Sequence, residues 1–67
     1  MNAIFKLVLK VRVGEGEYDF ESVEEFFYLE SNVIRALERY KKCSDVEVAY
    51  IVNESNGEIV REYAKGV

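Results

Sequence analysis

Residues 4 to 13, IFKLVLKVRV, alternate without a break: Phe5, Leu7, Leu9, Val11 and Val13 share one side, and Lys6, Val8, Lys10 and Arg12 the other. A two-residue period suits an extended chain, so this run predicts a strand with one face in a core, and such a strand needs neighbours. Gly14 to Gly16 supply a flexible reversal, after which Tyr18 and Phe20 flank Asp19 in a short second strand that returns along the first. Ser22 and Glu25 then stand at capping-box spacing, where a hydroxyl accepts from first-turn amides and a carboxylate reaches back. They predict a helix from Val23 to about Lys42, with Lys41 and Lys42 complementing the negative end of its dipole.

The last third holds two apolar-rich runs around Asn53-Glu54-Ser55-Asn56-Gly57, and Asn-Gly favours the positive backbone angles of a tight turn. One arm sets Val46, Val48, Tyr50 and Val52 against Glu47, Ala49 and Ile51. An even-length loop would match the first set with Ile59, Arg61 and Tyr63, in a register open by one residue. The fold expected is α+β: a single ββαββ domain over residues 1–67, one long helix packed across a four-stranded antiparallel sheet whose strand order is left open.

On that helix, Phe26, Phe27, Leu29, Val33, Ile34, Ala36, Leu37 and Tyr40 share with Val23 and Cys43 an arc of roughly 200°, whereas an amphipathic helix resting on one sheet needs a stripe of about 100° or somewhat more. The surplus predicts cover from a second copy or another macromolecule, with Phe27, Tyr28, Leu29 and Glu30 as the interface residues. Glu30 falls inside the arc, where a buried carboxylate needs to give up its charge, to find a basic or hydroxyl partner from the sheet, such as Arg61 or a Tyr, or to sit at an interface rim; the alternative is a Glu that snorkels to solvent past the helix edge.

Size makes the same demand. A chain of 67 residues buries only about 60% of its unfolded surface. The lone Cys43 cannot form an internal disulfide, and the absence of His removes Cys-His zinc sets, so neither usual staple of a mini-protein is present. Cys43 itself reads as a small packed hydrophobe. Lys6, Lys10 and Arg12 interrupt the N-terminal apolar run, which predicts neither a signal peptide nor a membrane span and so a cytoplasmic protein. Eleven Glu against two Asp, without Gln or Thr, is a thermophile-like composition.

No catalytic set is legible: there is no His for acid/base work and no Ser, Cys or Lys beside an evident base, so no enzyme, cofactor or metal site is expected. The expected function is a small non-enzymatic protein-interaction module, a homodimeric accessory or regulatory protein of the kind that viruses and mobile elements also encode. One alternative is a nucleic-acid-binding regulator using Lys6, Lys10 and Arg12 on one strand face, against which stands the net charge of −4. Another is a small-ligand sequestering protein with a pocket between protomers. Glu15, Glu17, Asp19, Glu21, Glu24 and Glu25 form an acidic run with no intervening base, read as a solvated edge and helix start.

Overall fold

The first alternating run forms strand β1, Phe5–Arg12, in the computed structural model, which describes residues 4–66; Met1–Ala3 and Val67, the ends of the expected domain, lie outside the described residues. Phe5, Leu7 and Leu9 are buried and Lys10 is exposed, so the face division follows the sequence period. A loop held by Asp19 follows. Its Oδ2 accepts the Gly16 N–H at 2.9 Å, and a Cβ on Gly16 would lie 2.6 Å from that same oxygen, so a side chain there would displace the acceptor.

The next segment corrects the expected helix start. Strand β2 runs Phe20–Phe27, and helix α1 occupies only Glu30–Tyr40. Residues 20–27 also read with a two-residue period, Phe20, Ser22, Glu24 and Phe26 against Glu21, Val23, Glu25 and Phe27. As a strand they pair with β1 through eight positions, from Phe5 opposite Phe27 to Arg12 opposite Phe20. Pairing with a strand as apolar as β1 outweighs a local capping signal, because propensity is a weak prior against tertiary context. The capping-box residues are redeployed: Ser22 lies opposite Lys10, and the Glu25 carboxylate accepts the Tyr40 hydroxyl at 2.6 Å.

The shorter helix needs no second cover. Val33, Ala36 and Leu37 are buried and Tyr40 half-buried, an i, i+3, i+4, i+7 stripe that one sheet face satisfies. Leu29 caps the helix through its carbonyl, which accepts the Asn32 and Val33 amides at 3.1 and 3.2 Å, with no side-chain cap. Glu30 in the first turn and Arg39 in the last lie at the dipole ends of opposite sign.

Strands β3, Val46–Asn53, and β4, Glu58–Ala64, complete an antiparallel sheet in the order β2-β1-β3-β4. Gly57 at φ 74 closes the turn between them, its N–H donating to the Asn53 carbonyl at 2.7 Å. The second hairpin departs from the expected match in one respect. Val52 does face Ile59, but the register shifts after Ile51, so Tyr50 lies opposite Glu62, while Arg61 and Tyr63 pair with Ile51 and Ala49 on the helix side. The core is the set Phe5, Leu7, Leu9, Val33, Ala36, Leu37, Val46, Ala49 and Ile51, all between α1 and one face of the sheet.

Candidate interaction surface

Directly opposed residues in antiparallel strands share a face, so the register spells out the side of the sheet that α1 does not cover. One row across the four strands is Phe26, Lys6, Val52 and Ile59; the next is Glu24, Val8, Tyr50 and Glu62; a third is Ser22, Lys10, Val48 and Ala64. Four strands at about 4.8 Å make each row roughly 14 Å wide. Phe26 is 60% and Ile59 57% exposed, at the two margins of the first row. Strand β3 presents Val48, Tyr50 and Val52 outward and Val46, Ala49 and Ile51 inward. A strand apolar on both sides is the pattern of one covered on both faces, whereas a solvated sheet side ordinarily alternates to polar.

Electrostatics divide this face lengthwise. Lys6 lies 3.4 Å from both Glu24 and Glu54, and its hydrogen bond to Glu54, with Glu24 behind it, raises its pKa above the ordinary lysine value. The Lys10 ammonium and the Arg12 guanidinium both lie against the Phe20 ring, 4.5 and 4.6 Å from its centroid, and Arg12 also pairs with Glu47 at 3.3 Å. Lys10 is thus drawn toward β2, Arg12 is shared between Phe20 on β2 and Glu47 on β3, and the outward residues of the β3–β4 half beyond them include Val48, Tyr50, Val52, Ile59 and Ala64. A shallow groove of about 380 Å³ runs there along Val48, Tyr50, Glu62, Tyr63 and Ala64.

The four interface residues expected from the sequence are dispersed. Phe27 turns toward the helix and packs against the core, half-buried. Tyr28 and Leu29, 68% and 59% exposed, form the junction between β2 and α1. Glu30 is exposed in the first helical turn, so of the alternatives for this carboxylate the solvated one holds; with Val23 in a strand, helical angles do not carry from Val23 to Glu30. Cys43, expected to be packed, is exposed just past the helix. The nucleic-acid candidates Lys6, Lys10 and Arg12 do share the open face, now with Phe20, Phe26 and Tyr50 beside them, although Glu24, Glu47, Glu54 and Glu62 border it.

Tyr50, Val52 and Ile59 are the surface residues that the sequence reading passed over. For Tyr50 and Val52 the signal was present in the near-continuous apolar run of Val46–Asn53, whereas Ile59 lies in β4, outside that run. Among the described residues no cluster of three His, Cys, Asp or Glu side chains is placed to hold a metal, and no helix is long and apolar enough to cross a membrane. Compared with family models, curated proteins and solved structures, the chain matches none.

Proposed function

We propose that the chain is a non-enzymatic association module that docks a second copy of itself over the uncovered sheet face, as a small accessory or regulatory protein. The observation that carries this reading is the outward row Val48, Tyr50, Val52 on a central strand, extended by Val8 on one side and Ile59 on the other. Size and shape support it. The molecule measures 43 × 19 × 18 Å and exposes 4878 Å², where a compact monomer of 7.8 kDa exposes roughly 4,400 Å². Four strands of about eight residues present a face of roughly 500 Å² in projection. Its side-chain relief brings the accessible area toward the ~800 Å² per partner of a standard interface. Two such faces packed together make a sandwich with a second core.

A nucleic-acid role draws on the shared face of Lys6, Lys10, Arg12 and the three aromatic rings. Charge argues against it. Three bases are bordered by four acids on that face, and two of the three bases already hold carboxylates.

Sedimentation equilibrium at micromolar concentration tests the reading. Twice the chain mass is expected for the native sequence and the single-chain mass for Tyr50→Glu, which places a carboxylate among Val8, Val48 and Val52. A native chain that stays at the single-chain mass up to millimolar concentration contradicts the proposal.

A further inference from the structure

The two edges of the sheet are built differently. Strand β4 is broken by the register shift after Ile51, and a bulged edge is a poor template for another strand. Strand β2 pairs with β1 without a shift over its whole length. In an antiparallel pair, alternate residues turn their N–H and C=O away from the partner, so β2 presents a regular outer ladder. It contains no Pro and no bulge, and its ionisable side chains are all acidic, Glu21, Glu24 and Glu25, so the one device that guards this edge against other strands is negative charge, which a basic segment would neutralise.

A second copy fits this edge badly. Antiparallel pairing of β2 with itself, open faces on the same side, sets Glu21 opposite Glu25 when centred on Val23 and Glu24 opposite itself when centred on Glu24. Like charges directly opposed repel, and opposite charges at those positions attract. We infer that β2 is an acceptor strand for an extended basic segment of a different protein, added antiparallel to the sheet edge. Cationic residues of that segment stand opposite Glu21, and opposite Glu24 and Glu25, whose carboxylates also hold Lys6 at 3.4 Å and the Tyr40 hydroxyl at 2.6 Å and so offer the segment their remaining oxygen; apolar residues stand opposite Phe20, Val23 and Phe26. The surface is an edge and not the open face, so this inference stands or falls separately from self-association.

The complement of Phe26 back to Phe20 is the heptapeptide Val-Lys-Lys-Val-Thr-Lys-Val, blocked at both ends, which serves as the probe. Titrated into the isotope-labelled full chain, it is expected to give saturable amide shifts concentrated in residues 20–27 and slowed hydrogen exchange at alternate β2 amides. The analogue with Glu in place of each Lys is expected to bind at least tenfold more weakly. N-methylation of alternate probe residues, on the side that faces β2, leaves the protein untouched and is expected to abolish binding. Absence of binding at millimolar probe, equal affinity for the two peptides, retention after N-methylation, or shifts centred on β3 and β4 would each overturn the inference.

Discussion

The two faces of the sheet are cut from the same strands and meet opposite fates. On one, Phe5, Leu7, Leu9, Ala49 and Ile51 are buried under α1; on the other, Val8, Val48, Tyr50 and Val52 stay half-exposed, with Phe26 and Ile59 more open at the margins. Composition does not account for the difference, since β3 is about as apolar outward as inward. What differs is cover: one eleven-residue helix can shield one face. The proposed association draws on the unshielded face and not on the core, because monomers rarely expose contiguous apolar patches larger than a few hundred Å².

Substitutions separate the two faces by size of effect. Leu37→Ala empties a site that is 1% exposed and is expected to cost about 2–5 kcal/mol. That is a large share of the roughly 3–10 kcal/mol typical of a domain this long, so chemical denaturation should find the variant largely unfolded. Gly57→Ala forces a left-handed φ on an L-residue with no steric clash and should cost about 1–2 kcal/mol by the same measurement. Its turn sets the register that puts Ile59 beside Val52. Tyr40→Phe removes the hydroxyl that ties the helix to Glu25 and should cost about 1 kcal/mol. On the open face, Val48→Thr measured on dilute, dissociated chain should change stability by less than about 0.5 kcal/mol; a loss like that of Leu37→Ala would mean the face is covered within one chain.

Alkaline titration sharpens the same contrast. The hydrogen bond to Glu25, and then burial, raise the Tyr40 pKa, as the bond to Glu54 raises that of Lys6. Both groups hold their protons more tightly folded than unfolded. Their contribution is complete below their unfolded values, near pH 10, and is lost as pH rises through the higher folded values. Thermal melts across pH 9 to 12 should therefore fall in the upper part of that range, and less steeply for Tyr40→Phe.

How much of this was legible follows the strength of each local pattern. The alternation of residues 5–12 and the Asn-Gly turn give β1 and the second hairpin directly, because periodicity and turn chemistry act within a few residues. Residues 20–29 misled because both periods are present in them. Ser22 and Glu25 satisfy a helix start locally, and only the demand of β1 for a neighbour, a long-range term, selects the strand. That one choice moved Phe26 to the open sheet side, Phe27 into the core margin and Glu30 out to the helix end. The expected apolar arc on the helix is absent; the exposed apolar side chains are Phe26 and Ile59 on the open sheet face and, off it, others such as Val13, Tyr18, Tyr28 and Leu29. The bulge that turns Arg61 toward the helix side had no local signature at all.

Isotope-filtered nuclear Overhauser measurements on an equimolar mixture of labelled and unlabelled chain probe the open face most directly. If a second copy covers it, cross-chain contacts are expected from Tyr50, Val52 and Ile59, and none from Leu37 or Ile51. Contacts confined to Tyr28 and Leu29, or no cross-chain contact at millimolar concentration, would contradict association through the sheet.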